Sequence, residues 1–447
     1  KKADVLAVVP DRRAVIFYPY ASETEGVDYA LAKLREDGIL GASAQIRTVC
    51  YGDLDAPDLE ELLADTDMVI AVSALYQKEA LDPETEVGAA SAFVESTLAQ
   101  IYKRKGADGS CYGGPAYYIE AAIKSPVLGA IFAISMLLTY AGGFNMLASY
   151  NLQSTFSVYS FYNEKTTPIV IGAILAVIVG YCLLGGGKRI LGVTSKLVPL
   201  MGLLYVAVSL IIVFTHLNLF PSVIGQIFSD AFDFSAIFGG FTGSCMMYGI
   251  KRGLFSNEAG VGSAPNAAAS AEVHHPVKQG LVQMLSVFID TLLLCTCTAF
   301  MCLCSGVAPT EDLAGAPYVQ AAMQNALGAI GPVFVTVAMV LFAFTTLLGN
   351  FYYVDNLLIY LNHKKEPSAK FMFWFRILAS VIIFVGALLS MGVVWDLADV
   401  LMGIMAIINL PVICIAGGTA LKALDDYTKQ KKEGKSPVFK ASSEGLE

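Results

Sequence analysis

The stretch RGLFSNEAGVGSAP (252–265) sets Arg252, Ser256, Asn257 and Glu258 among three glycines, between two long apolar runs. Gly253, Gly260 and Gly262 loosen a helix on both sides of the polar cluster, and Pro265 follows. Irregular backbone at membrane depth is tolerated only where it faces protein or a water-filled cavity. An interrupted helix offers N–H groups from one half and carbonyls from the other. The first suit a carboxylate and the second suit a cation such as Na⁺. The backbone of Phe255–Gly260, with the amide of Asn257, could therefore hold a zwitterion. A simple kink in a packed helix is the competing reading, and Arg252, close to a water interface, could be a gate or an anchor.

Two further polar islands have the right composition for a ligand. In FAFTTLLGNFYYVDN (342–356), Thr345 and Thr346 offer paired hydroxyls near Asn350. Hard cations prefer oxygen ligands, although threonine hydroxyls commonly bond the preceding helical turn instead. In GGFNMLASYNLQ (142–153), Asn145, Asn151 and Gln153 exceed what packing requires. Amides there either line a pocket or join helices, and at least two are expected to join helices. Glu95, Asp290 and Asp355 are intramembrane carboxylates, costly unless paired, and pairing between helices is their expected role.

The elements that must position these groups follow from composition. Of 447 residues only 15% are charged, against about 25% in soluble domains, and the mean hydropathy is +0.61. A bilayer core of about 30 Å calls for about 20 apolar residues per span. Eight such spans are predicted, near 126–155, 168–186, 197–215, 240–270, 277–305, 329–361, 371–391 and 397–421, after a partial helix at 88–105. Lys and Arg gather in alternate loops and in the C-terminal tail, while the other loops hold only Lys165. That bias predicts a multi-pass protein of the plasma (inner) membrane with a cytoplasmic C-terminus.

Residues 1–86 differ in kind. They carry 8 Lys+Arg against 18 Asp+Glu, whereas 87–447 carry 21 against 20. Apolar runs at 5–9, 14–18, 44–49 and 68–75 alternate with helical patterns, which predicts a small soluble α/β segment with a parallel sheet. No basic patch suits nucleic acid. No phosphate loop or nucleophile–base pair suggests an enzyme or a cofactor. The nine cysteines sit largely in apolar runs such as LLLCTCTAFMCLC (292–304), as small packing groups.

SAFVESTLAQIYKRKGADGSCYGGPAYYIE (91–120) and RGLFSNEAGVGSAPNAAASAEVHHPVKQGLVQMLSVFIDTLLLCT (252–296) resemble the alanine/glycine:cation symporter family, a likeness that runs from about residue 88 to the C-terminus. The resemblance implies an all-α polytopic membrane protein with the inverted-repeat amino-acid transporter fold, truncated at its start. It implies symport of small neutral amino acids, alanine or glycine, with Na⁺ (or, less often, H⁺) as the coupling ion. It places Asn257 and nearby backbone at the substrate, with Thr346 close by; the residues themselves add Phe255, Ser256, Gly260 and Asn350 as substrate candidates, and Thr345 with Thr346 as oxygens for sodium or substrate. Many members carry Trp at the position of Asn350 and Gln at that of Ala148, so the pocket here should be wider. The family's first interrupted helix has no counterpart before residue 88, which predicts impaired transport by this chain. VLAVVPDRRAVIFYPY and DMVIAVSALY faintly resemble the C-terminal domain of family 3 glycoside hydrolases, without implying hydrolysis. The alternative is a non-transporting, membrane-anchored binding or sensing protein with a cytosolic α/β module.

Overall fold

The computed structural model describes residues 13–18, 45–50, 68–71, 83–106, 111–216, 218–231, 252–253, 255–308, 310 and 313–440. The chain divides into two compact units, Lys1–Glu86 and Val87–Glu447. In the first, β1 (Arg13–Tyr18), β2 (Gln45–Cys50) and β3 (Met68–Ala71) form a parallel sheet in the order β2-β1-β3. Val15 of β1 pairs with Arg47 on one side and Val69 on the other. Branched and aromatic residues dominate β1, as suits a strand paired on both edges. The run at 5–9 and the two helical patterns expected here lie outside the described residues.

The second unit is helical. Helix α1 (Pro83–Ile101) is mostly buried from Gly88 onward, with Phe93 and Leu98 alongside Glu95, Ser96, Thr97 and Gln100. A two-residue hairpin of β4 (Arg104–Lys105) and β5 (Cys111–Tyr112) leads to α2 (Pro115–Ala122). Then come α3 (Pro126–Ser154), α4 (Thr167–Leu184), α5 (Gly186–Thr215), α6 (Phe220–Ala231) and the short α7 (Ala264–Ala268). The chain closes with α8 (Pro276–Leu303), α9 (Ala316–Leu327), α10 (Ile330–Leu361), α11 (Ala369–Gly386) and α12 (Met391–Lys432). Local chemistry sets several starts. Ser125 and Ser368 cap α3 and α11 by accepting Leu128 N–H (3.2 Å) and Phe371 N–H (3.3 Å). Pro126 and Pro276 occupy first turns, where no N–H is needed.

Among the described residues seven helices are long and apolar enough to cross a bilayer: α3, α4, the Lys196–Thr215 part of α5, α8, α10, α11 and α12. Each coincides with a predicted span. The eighth, 240–270, falls partly outside the described residues. On α3, Phe132, Met136 and Tyr140 are fully buried while Val127, Ile131, Ile134 and Leu138 on the other side are exposed. Apolar residues as exposed as Ile407 and Ile415 of α12 would be an aggregation surface in water; in a bilayer they face acyl chains.

Helices α3 and α10 form the spine. Asn350 Nδ2 donates to Asn145 Oδ1 at 2.8 Å, and Tyr159 and Thr336 share a hydroxyl bond of 2.8 Å. The first bond joins the two helices directly, and the second ties α10 to the turn that follows α3. Helix α11 packs across α3 because Gly386 lets the two backbones approach. A Cβ at Gly386 would run into the Met146 backbone, with its carbonyl oxygen at 2.8 Å, whereas one at Gly403 meets nothing within 4 Å. Gly386→Leu is therefore expected to cost about 1–3 kcal/mol through overpacking, read as a lower melting temperature in detergent, with Gly403→Leu close to wild type. Outside the spans, Lys364 Nζ lies 2.5 Å from Glu120 Oε1. Partial burial pushes the Glu120 carboxyl up, but the Lys364 ammonium and the Tyr360 hydroxyl outweigh it and hold it below its ordinary 4.5.

Candidate functional site

Residues 255–257 are helical, the chain leaves the helix at Glu258, and helix resumes only at Ala264. Glu258, Gly260 and Gly262 all have positive φ (51°, 83° and 95°). The glycines adopt this region without penalty; a glutamate does so at a cost and draws attention to its side chain. A Cβ at Gly262 would lie 2.7 Å from Phe132 Cζ and 2.8 Å from Pro115 Cγ, so the broken backbone is pressed into the protein rather than into lipid.

The backbone groups freed by the break are taken up by other helices. Gly260 N–H donates to Glu95 Oε2 of α1 at 3.1 Å, and Gly260 C=O accepts from Asn409 Nδ2 of α12 at 3.0 Å. Asn409 Nδ2 also donates to Glu95 Oε1, and Tyr118 of α2 donates its hydroxyl proton to Asn409 Oδ1 at 2.6 Å. Glu95, Tyr118 and Asn409 are all buried. Such a satisfied buried network holds a single backbone conformation.

Two wide π-helical turns supply the remaining partners. The first, Leu138–Gly143 within α3, carries Tyr140, whose hydroxyl donates to Glu258 Oε2 at 2.8 Å. The second, Ile289–Cys295 within α8, carries Asp290 and Thr291. Asp290 Oδ2 accepts the Ser256 hydroxyl at 2.5 Å, and Thr291 Oγ1 accepts from Asn257 Nδ2 at 3.3 Å. A π turn inserts an extra residue and re-aims the side chains around it; here both turns are aimed at the break.

Two cavities meet at this point. One, of about 210 Å³, is lined by the α3 face Phe144, Leu147, Ala148 and Asn151, by Met339, Phe342 and Ala343 of α10, and by Phe255 and Trp395. The other, of about 440 Å³, is lined by Thr345, Gly349, Asn350, Tyr352 and Tyr353 of α10, by Val198 and Met201 of α5, and by Ala267 and Ser270. Glu258 and Thr346 belong to both linings. The cavities therefore occupy successive stretches of α10, 339–346 and 345–353, with Glu258 and Thr346 shared between them. An aromatic stack closes one side of the smaller cavity: Phe255 lies 5.2 Å from Phe144 and 5.1 Å from Trp395. The Arg252 guanidinium covers the stack, 4.5 Å from the Trp395 ring, and is tied to Asp399 by bonds of 2.7 and 2.5 Å.

The predicted site residues divide into groups. Phe255 and Thr346 share the smaller cavity; Thr345, Thr346 and Asn350 share the larger. The Thr345 hydroxyl donates to carbonyls of its own helix, Leu341 at 2.9 Å and Phe342 at 3.0 Å, which leaves its lone pairs for a cation. Ser256 and Asn257 lie on another face of the broken helix, toward α8. Asn257 Oδ1 accepts Ala259 N–H at 3.0 Å, an Asx turn that ends the helix, and it line neither of these cavities. Gly260 faces α1 and α12.

Of the intramembrane carboxylates, Asp355 pairs with Arg376 of α11 at 3.3 Å, and Glu95 and Asp290 are bonded as described above. Of the three amides, Asn145 and Gln153 join elements, Gln153 by accepting from Tyr162 at 3.2 Å, while Asn151 lines the smaller cavity. Cys295 does more than pack, with its sulfur 3.0 Å from Ser256 Oγ. Sequence reasoning gave Glu258 no place among the substrate residues and passed over Tyr140, Trp395 and Asn409. A lone amide beside Pro411 in an apolar run, and a lone tryptophan in α12, were the available signals.

A helix broken among bilayer-length helices, its loose ends held by side chains and its break shared by two cavities, defines a polytopic membrane transporter. The chain belongs to the sodium:alanine symporter family, which matches residues 85–441. It is 42% identical to the amino-acid carrier protein AlsT of Bacillus subtilis, over 80% of this chain and 74% of that one. It is 41% identical to the probable sodium/glutamine symporter GlnT of the same organism, over 79% and 72%. It is 35% identical to the sodium/alanine symporter AgcS of Methanococcus maripaludis, over 77% and 76%. These relatives are transporters, not enzymes. The glycoside hydrolase likeness of residues 1–86 is not borne out: the family match begins at residue 85.

Proposed function

We propose that this protein carries a small neutral amino acid across the plasma membrane together with Na⁺, with its C-terminus in the cytoplasm. The observation that carries the reading is the pair of cavities joined at Glu258 and Thr346, beside the break in 255–263. A ligand at that junction lies between two spaces stacked along α10, and rocking of the helices around it would open one space while closing the other. The substrate rests against the Phe255–Gly260 backbone, the Thr346 hydroxyl and Asn350, with Asn257 shaping the break. The oxygens of Thr345 and Thr346 serve Na⁺, and the Glu258 carboxylate offsets positive charge from the ion or the substrate ammonium. Alanine and glycine fall within this substrate class. The relatives named for alanine and glutamine transport support the class as a whole.

The inward sodium gradient drives uptake. A membrane potential of 100 mV contributes about 2.3 kcal/mol per charge, and a tenfold concentration ratio adds about 1.4 kcal/mol. In proteoliposomes carrying the protein, an inward Na⁺ gradient is expected to accumulate labelled alanine above the equilibrium level. Replacing external Na⁺ with choline is expected to abolish that accumulation. Uptake that is equal in choline and sodium would remove sodium coupling, and no uptake of any neutral amino acid would remove the transport reading itself.

A further inference from the structure

The chain turns back after α12 and binds to the protein again. A glycine cap satisfies the last carbonyls of the helix: Lys435 N–H donates to Gln430 C=O at 2.9 Å and Gly434 N–H to Lys431 C=O at 3.0 Å, with Gly434 at φ 73°. The cap reverses the chain beside the last turns of the helix. There the side-chain amide of Gln430 takes both backbone groups of Val438. Its Oε1 accepts the N–H at 2.9 Å and its Nε2 donates to the C=O at 3.1 Å. One residue on, Phe439 N–H donates to His274 C=O at 3.0 Å.

The surface that receives the segment is ordered from beneath. His275 is fully buried, and its Nδ1 accepts Val277 N–H at 3.3 Å, which puts the ring proton on Nε2, 3.1 Å from Asp426 Oδ2. The same carboxylate oxygen accepts Gln430 Nε2 at 2.8 Å. His275, Asp426 and Gln430 thus form one chain of hydrogen bonds that ends on the backbone of Val438. The Phe439 ring stands edge-on to the His275 ring at 5.4 Å and packs on a cluster that includes Phe93 of α1, Val277 and Ala423. Pro437 is buried, whereas Val438 is 48% exposed and Ser436 and Lys440 are exposed. The segment is fastened chiefly by backbone hydrogen bonds and one ring, a light hold for a chain end.

What it fastens leads to the larger cavity. His274 and His275 end the link from α7 to α8, and Ala267 and Ser270, at the start of that stretch, line the larger cavity opposite α10 and α5. Widening the cavity on this side moves the α7 stretch and its link, which draws His274 away from Phe439. From this arrangement we propose that residues 436–440 are an inhibitory strap. Docked, they tie the α7–α8 link to the end of α12 and restrain the wall of the larger cavity; they must undock before cargo leaves toward the cytoplasm. The inference rests on the transport reading above and adds a control to it. Such a segment acts as a ligand built into the chain, favouring the one state in which it binds. Gln430, Asp426, His275 and the strap itself are not among the described residues that line either cavity, so loosening the strap leaves cargo binding alone.

The test is sodium-driven alanine uptake in proteoliposomes by the wild type, by a chain ending at Gly434, and by Phe439→Ala and Gln430→Ala. Each variant is expected to raise the maximal rate about twofold or more, the size of one lost hydrogen bond, with an unchanged KM for alanine. The two point variants decide the matter if the shortened chain does not fold. Hydrogen exchange reads the strap directly. The amides of Val438 and Phe439, bonded in the docked segment, are expected to exchange faster in Na⁺ with alanine than in choline. A maximal rate that is unchanged or lower in the point variants, or exchange that is indifferent to Na⁺ and alanine, means that the segment only packs; either result overturns the proposal and leaves amino-acid symport standing. Absence of uptake by the wild type overturns the transport reading, and this inference with it.

Discussion

Glu258→Gln is expected to abolish sodium-driven amino-acid uptake while leaving the protein folded in the membrane. The substitution is chosen to isolate charge. Glutamine has nearly the same shape and the same backbone cost at φ 51°, so the broken helix keeps its path. Its amide oxygen can still accept the Tyr140 hydroxyl proton, which now goes to Glu258 Oε2 at 2.8 Å. What disappears is the only formal charge among the described residues that line the two cavities. A unit charge acting on another about 4 Å away contributes about 4 kcal/mol at an effective dielectric of 20, equivalent to about a thousandfold in binding. The loss should fall on whichever cargo carries the positive charge. If that cargo is Na⁺, the sodium dependence of residual uptake moves to much higher concentration; if it is the substrate ammonium, the amino-acid KM rises instead. Tyr140→Phe removes a hydrogen bond and no charge, so it should cost about 0.5–1.5 kcal/mol, or roughly 2- to 13-fold. Uptake by Glu258→Gln within tenfold of wild type, at normal expression, would show that the carboxylate does not face the cargo.

The break at 252–265 was legible because its cause is local. Gly260 and Gly262 mark positive φ, and a polar cluster between apolar runs has few uses in lipid. The spans were legible for a similar reason, since bilayer thickness imposes a length that composition reveals. Helix α12 runs on past the predicted span at 397–421 to Lys432, and the extra turns are the polar run KALDDYTKQKK, helical but not apolar. The π turns at 138–143 and 289–295 leave no trace in composition, because an extra residue in a turn alters neither length nor hydropathy in any visible way. The partners of the break were also hidden. Glu95, Tyr118 and Asn409 reach Gly260 from three separate helices, and no local pattern ties one amide in an apolar run to one backbone group far away in sequence. Asn257 illustrates the limit from the other side. Its residue type suits a ligand, and in the structure its oxygen accepts Ala259 N–H, a use that no local pattern announces. Thr345 and Thr346 look equivalent in sequence, yet adjacent positions on a helix point about 100° apart, and only Thr346 reaches both cavities.

Glu95→Leu is expected to have an effect of similar size by a different route, since Glu95 touches neither cavity lining. Its two oxygens accept Gly260 N–H and the Asn409 amide. Removing them strands two buried donors, at about 1–3 kcal/mol each. Asn409 is then free to turn away from Gly260 C=O, and the break loses the partners that hold it open. Uptake should fall at least a hundredfold and the melting temperature in detergent should drop. Because Glu95, Asn409 and Gly260 act as one unit, the double variant Glu95→Leu/Asn409→Leu should be no worse than the more damaging single change, a non-additivity that a double-mutant cycle measures directly. Glu95→Gln separates the network from simple packing. Its oxygen can still accept Gly260 N–H, but its NH₂ then meets the NH₂ of Asn409, two donors with no acceptor between them. Asn409→Asp supplies that acceptor at the cost of the bond to Gly260 C=O. The pair Glu95→Gln/Asn409→Asp should therefore regain part of the uptake lost by Glu95→Gln alone. Strict additivity across both cycles, with no rescue, would mean that these side chains merely fill space and that the conformation of the break is set elsewhere.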